Sequence, residues 1–223
     1  MAKKVSTKKN EFEGVQNVLS SSEAFIEKYQ KQITYGLVAV VLIVVAIIAF
    51  RSLYFQPRSI EAQNEISKAQ HYFAADSFRI AVEGNLECIG FREIVSDYGI
   101  TPSGNLAAAY AGICYYKLGQ YEDAIKYLSE YNGKGSYLGI EITGLIGDSY
   151  IELGDIEKAV RFFNKASKAN NNILSPIYLK KAAVAYEALD KPARALELYR
   201  KIKDTYPQST EASDIDKYIS RLE

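Results

Sequence analysis

The sequence predicts an all-α protein: a single N-terminal transmembrane helix, then a right-handed α-solenoid of paired helices with a C-terminal capping helix. Three observations carry this. The phrase from Tyr115 to Ala124 (Tyr-Tyr-Lys-Leu-Gly-Gln-Tyr-Glu-Asp-Ala) returns nearly copied from Tyr150 to Ala159 (Tyr-Ile-Glu-Leu-Gly-Asp-Ile-Glu-Lys-Ala). Gly119 and Gly154 within it lie 35 residues apart, and a weaker copy from Tyr186 to Ala195 follows after a further 36. A fixed period of this length, built from two short helices, stacks into a solenoid. Third, residues 32–50 carry no charge and are bracketed by Lys31 and Arg51.

The uncharged stretch comes first in the chain. Ile33 to Phe50 holds twelve Val, Ile, Leu or Phe residues among eighteen. As a helix it spans about 27 Å, close to a bilayer's hydrocarbon core of roughly 30 Å. On an insertion scale those residues contribute on the order of −4 to −7 kcal/mol as an upper bound. A buried soluble helix rarely runs uncharged on every face for this length. A cleaved signal peptide fits less well, because 32 residues precede the run and its end, Ala46 to Arg51, lacks small residues at a cleavage spacing. The reading is an uncleaved anchor over 33–50. The tail, residues 1–32, carries Lys3, Lys4, Lys8, Lys9, Lys28 and Lys31. This predicts a cytoplasmic N-terminus in a single-pass inner-membrane protein, with the repeats outside, in a bacterium the periplasm. Close to the membrane the contrast fades, since Arg51, Arg58 and Lys68 follow the anchor.

Residues 51–58 are expected as a short linker, with Tyr54 and Phe55 at interface depth and Pro57 as a break. Residues 59–100 form a degenerate first repeat. Its helix runs over 59–73, turns at Ala74 to Ser77, and a second helical region, 78–98, is interrupted near Gly84 or Gly90 and stops at Gly99. Thr101-Pro102-Ser103-Gly104 is expected as a loop. Three repeats occupy 105–207, with helix pairs at 105–117 and 121–131, 139–152 and 156–169, and 176–188 and 192–206. Over 208–223, Ser209 or Thr210 caps a last helix with Ala212, Ile215, Tyr218, Ile219 and Leu222 on one side and a polar remainder.

Composition removes several function classes. The chain has 27 basic and 27 acidic residues, so nothing in its charge favours nucleic acid. Two cysteines, Cys88 and Cys114, and one histidine argue against a structural zinc site. A disulfide between them is chemically open outside the cytosol, but Cys114 sits in a helix where a buried thiol is the ordinary reading. His71 has no nucleophile pattern beside it. Gly133-Lys134-Gly135-Ser136 lacks the spacing of a phosphate loop. No enzyme, cofactor or metal is expected.

The repeats resemble the tetratricopeptide repeat. The matching residues are Gly112, Tyr115, Gly119, Tyr121 and Ala124; then Ile146, Gly147, Tyr150, Gly154, Ala159, Phe163 and Ala166; then Ala183, Tyr186, Ala195, Tyr199 and Pro207. Gly112, Gly147 and Ala183 would let paired helices approach, with aromatics filling the space to the next pair. The pattern departs from the family in lacking tryptophan, in having Ala108, Thr143 or Leu179 where a large residue stands early in each first helix, and in placing Asp190 at a turn glycine. The resemblance implies that each first helix lines a concave groove. Helical spacing then exposes Ala109, Ile113, Tyr116 and Lys117, next Gly144, Asp148, Ile151 and Glu152, and last Lys180, Val184 and Glu187. This mixed set lacks the lysine and Asn/Arg pairs that grip a carboxylate tail and suits extended or amphipathic segments. Equally, several of these residues could pack against a neighbouring helix or the cap.

The layout of basic tail, anchor, degenerate repeat and repeats also resembles the YfgM-type family. That resemblance implies an ancillary role beside a protein-translocation channel, with secreted clients passed to chaperones. A structural scaffold for a multi-subunit envelope machine is the rival expectation, and self-association is a further one.

Overall fold

The computed structural model describes residues 28–133 and 135–223. Most of the expected tail, with Lys3, Lys4, Lys8 and Lys9, falls outside them, as does Lys134 of the glycine-rich loop. The chain divides into two compact units, Met1–Pro57 and Arg58–Glu223.

In the first unit α1 covers residues 28–49, and its side chains are almost all exposed. It is near the N-terminus and is long and apolar enough, by length and composition, to cross a membrane. Its polar Thr34 is satisfied locally, donating from Oγ1 to the Gln30 carbonyl at 2.8 Å. The expected linker is helical instead. Phe50–Phe55 forms a π-turn, closed by the Gln56 amide donating to the Arg51 carbonyl five residues back. Helix α2, Gln56–Ala74, starts directly after it. Pro57 can offer no N–H and crowds the preceding turn, so a locally widened turn accommodates it without a break.

The second unit continues with α3 (Phe78–Glu83), α4 (Phe91–Tyr98), α5 (Pro102–Lys117), α6 (Tyr121–Glu130), α7 (Tyr137–Glu152), α8 (Ile156–Ser167), α9 (Leu174–Ala188) and α10 (Pro192–Thr205). A 3₁₀ turn at Thr210–Asp214 and α11 (Ile215–Leu222) complete it. Among the described residues there is no strand, only an isolated bridge between Gly84 and Ile89 inside the interrupted first repeat.

One turn recurs. The amides of Ser77, Gln120, Asp155 and Lys191 each donate at 2.9 Å to the carbonyl five residues back, on Tyr72, Tyr115, Tyr150 and Tyr186. The residue before each donor has positive φ: Asp76 at 54°, Gly119 at 74°, Gly154 at 76° and Asp190 at 55°. This is the left-handed helix stop in which a six-residue loop bond satisfies an orphan carbonyl. The same stop at Asp76 ends α2, ahead of α3 and α4, which are separated by the segment between Gly84 and Gly90.

Helix pairs are held close by absent side chains. A Cβ at Gly112 would lie 2.4 Å from Leu128 Cγ, and one at Gly147 would lie 2.6 Å from Phe163 Cε1. The third pair takes a methyl at this place, Ala183, which is fully buried beside Tyr199. Three apolar clusters follow one another along the unit, with Tyr150 packed against the first two and Tyr186 against the last two. The cap buries Ile215 and Ile219 against Leu179, Tyr199 and Ile202. Cys88 and Cys114 are free buried thiols, and burial pushes the Cys114 thiol up to about 12.

Several boundaries differ from the sequence reading. Residues 101–104 are the start of α5: Thr101 Oγ1 accepts from the Gly104 amide at 3.0 Å, and Pro102 occupies the first turn. Gly104 is there because a Cβ would lie 1.9 Å from the Tyr98 carbonyl oxygen, which makes it a packing residue and not a loop breaker. Gly99 has φ −55° and does not stop α4 in the left-handed way. Helix α9 begins at Leu174, capped by Asn171 Oδ1, with Pro176 in the first turn where its missing N–H costs nothing. Ser209 caps the 3₁₀ turn, and α11 starts only at Ile215.

Two substitutions separate packing from turn conformation. Gly112→Ala should destabilise by about 1–3 kcal/mol, since a methyl must displace Leu128. Asp190→Gly should stabilise by up to about 1 kcal/mol, because relief of left-handed strain exceeds the added chain entropy. Urea unfolding of the full chain reads both; a Gly112→Ala loss under about 0.5 kcal/mol would mean that the helices have room to spare.

Candidate functional site

The first helices of the repeats, α5, α7 and α9, carry the expected groove residues, and the structure separates them by what lies against them. Ala109 is 1% exposed within the first core cluster and presents no groove surface. It lies on α5, on which α3, α4 and α6 all pack. Gly144 is buried too, with a Cβ there meeting Tyr178 Cε1 of α9 at 2.0 Å. These two positions are among those that pack against neighbouring helices, the alternative that helical spacing leaves open.

A second group meets the C-terminal cap. Glu187 accepts from Tyr199 Oη at 2.6 Å and pairs with Arg221 of α11 at 2.6 Å. Lys180 Nζ lies 2.7 Å from Asp214 Oδ1 and 4.7 Å from the Tyr218 ring centroid. These contacts hold the cap on α9, so the two residues act partly as cap receptors.

The third group forms open surface. Ile151 is 39% and Val184 49% exposed, large fractions for aliphatic side chains in a folded unit. With Asp148, Lys180 and the turn at Gly154 they line a cleft of about 560 Å³ between α7 and α9. Sequence reasoning missed Ile156, Ile177, Lys181 and Glu211, which complete its walls. Lys181 stands 33 residues after Asp148, about one repeat, and that register is the signal that would have paired them. Lys181 Nζ lies 2.7 and 2.8 Å from the two Asp148 carboxylate oxygens.

Farther along, Ile113 and Tyr116 are half-buried on α5, while Lys117 and Glu152 are exposed. Tyr116 packs edge-on against Tyr121 at 5.6 Å. Burial pushes its phenol up, and the nearby charges of Asp148 and Glu152 push it further. Tyr178 is raised to about 12, chiefly by burial and then by Glu141 and Asp148. Asp148 thus acts on a tyrosine of α5 and on one of α9. No group of three or more His, Cys, Asp or Glu side chains suited to a metal ion occurs among the described residues.

This geometry of stacked helix pairs agrees with the comparisons. Tetratricopeptide-repeat family models match residues 140–173, 110–132 and 179–209. No curated sequence relative matches the chain. A tetratricopeptide repeat protein from Parabacteroides merdae is similar in structure, with TM-score 0.59 and 18% identity over 72% of this chain. The alignment covers 59% of that protein, so the likeness takes in little more than half of its length. A Podosopora anserina protein of nearly identical TPR-like repeats gives TM-score 0.56 and 14% identity over 73% of this chain and 85% of its own. The MamA protein gives 0.54 and 14% over 72% and 89%. The structural likenesses show the fold alone. Together with the family models they establish the repeats: the second unit, helical throughout its described residues, is a solenoid carrying tetratricopeptide repeats, and such repeats mark a protein–protein interaction module.

The two cap receptors should respond differently to truncation. Glu187→Ala leaves the fully buried Tyr199 hydroxyl without its acceptor and should cost about 1–3 kcal/mol. Lys180→Ala removes a solvent-screened pair and should change stability by less than about 1 kcal/mol. Thermal unfolding followed by circular dichroism compares them; equal losses would mean that the cap is held by its surface ion pairs.

Proposed function

We propose that this protein is a membrane-tethered adaptor that holds other polypeptides at the membrane surface, in the role of an ancillary subunit beside a translocation channel that passes emerging clients to periplasmic chaperones. The observation that carries the reading is the open, mostly apolar cleft on the first helices of the repeats, where Ile151 and Val184 face solvent. Apolar side chains left open in a groove offer contact area to a partner. The apolar helix α1 supports a tether, and the lysine-rich tail supports a cytoplasmic N-terminus with the repeats outside. Tethering raises the groove's local concentration near clients, so weak contacts suffice. On this reading the protein binds and does not catalyse; His71, at the end of α2, packs edge-on to Tyr72 at 6.0 Å.

The test is site-specific photocrosslinking in cells from Tyr116 and Glu152. Channel subunits, chaperones or many secreted clients are the expected products. A single recurrent subunit of an envelope machine would replace the adaptor with a scaffold. Cytosolic products alone would reverse the orientation.

A further inference from the structure

The charges around the cleft select among polypeptide ligands. Four lining residues are charged, Lys180 and Lys181 against Asp148 and Glu211, so the formal charges cancel. Both cations are also already held. Lys181 is chelated by the two oxygens of Asp148 at 2.7 and 2.8 Å and lies 5.8 Å from the Phe163 ring centroid. Lys180 is held by Asp214 at 2.7 Å. Between these pairs the surface is aliphatic, from Ile151 across to Ile177 and Val184.

We infer that the cleft takes a neutral, apolar polypeptide segment, and that the Asp148–Lys181 pair sets this specificity by withholding the lysine from ligand carboxylates. The inference rests on the reading of the groove as a polypeptide-binding surface. Two adjacent lysines at a groove would ordinarily attract an acidic side chain or a chain terminus. Here an incoming carboxylate must take Lys181 from Asp148, which leaves Asp148 unpaired beside it, so one ion pair is exchanged for another and a like-charge contact is added. A carboxylate therefore loses water without a free counter-charge to replace it. An incoming ammonium can reach the Glu211 carboxylate, but it must lie beside the like charges of Lys180 and Lys181 to do so. An apolar side chain loses nothing and covers Ile151 and Val184. The cleft's 560 Å³ is within the usual size of ligand pockets, roughly 300–1,000 Å³, and suits a short segment. Selection of this kind works through rejection of the wrong charge as much as through attraction.

The experiment uses the full chain in lipid nanodiscs and fluorescence anisotropy with short end-capped peptides. One is built from Leu, Val, Ser and Gly, and two analogues carry Asp or Lys at the central positions. The neutral peptide should bind with less than about twofold change between low and high salt. The acidic analogue should bind about tenfold or more weakly, and the basic one, which reaches Glu211 only beside two lysines, no more tightly than the neutral peptide. Val184→Asp, at a half-exposed position, should weaken the neutral peptide about tenfold without change in helicity. Asp148→Asn keeps the shape and frees Lys181, so it should strengthen the acidic peptide about fivefold or more at low salt and leave the neutral one alone. A wild-type preference for the acidic or basic peptide, or an Asp148→Asn variant that gains nothing for the acidic one, overturns the charge selection and leaves the groove reading standing. If no peptide binds at any salt concentration, the groove reading falls and the selection falls with it.

Discussion

At the end of each first helix a tyrosine carbonyl accepts a hydrogen bond from the amide five residues on, across a residue held at positive φ. The four copies of this turn, on Tyr72, Tyr115, Tyr150 and Tyr186, fix how each second helix leaves its first. Everything larger follows from that exit angle. It brings α6 against Gly112 and α8 against Gly147, close enough that neither position has space for a methyl group. The same tyrosines then serve a second purpose with their rings. Tyr115 donates to Glu83 in the preceding repeat at 3.1 Å, while Tyr150 stacks on Phe162 and Tyr186 accepts from Asn164. One residue type thus ends a helix with its backbone and joins neighbouring helices with its side chain.

The repeats were legible in the sequence because these constraints are local. A tyrosine, a left-handed residue four positions on and a small residue three before the tyrosine all fall within one window of chain. Asp190 was legible as a departure, and the structure shows why it is tolerated: aspartate reaches the left-handed region more easily than most side chains. The leading repeat looks degenerate in sequence because its second helical region is interrupted near Gly84 or Gly90, and the structure adds that its turn uses Asp76 where the next two use glycine. Gly104 misled for a different reason. Its role is to admit the Tyr98 carbonyl six residues back at the corner between α4 and α5, and residue types alone do not say that the corner closes this tightly. The groove suffered in the same way. Helical spacing names a face, but whether the face is open depends on the neighbouring repeat, which is why Ala109 and Gly144 were offered and Lys181 was not.

Within the groove, packing and charge do separate jobs. Core contacts decide where the cleft lies, since α7, α8 and α9 meet through Phe163, Tyr178 and Ala185 behind it. The ion pairs on its rim add little to stability, as partly exposed pairs do. Their effect is on what the surface looks like to a visitor. Asp148 lowers the availability of one cation, and the cap, through Asp214, does the same for the other. The C-terminal helix therefore closes the apolar end of the solenoid and also tunes the electrostatics of the groove beside it.

The contact of Gly144 with Tyr178 joins two successive first helices with no slack between them. It acts as a gauge block: the spacing of the groove walls is machined into the stack before any visitor arrives. Ile151 and Val184 stand outside that gauge, so their replacement alters the lining and leaves the dimensions alone. A lineage could revise its clientele quickly through such residues while inheriting the same frame, whereas a single methyl at the gauge would respace the whole instrument.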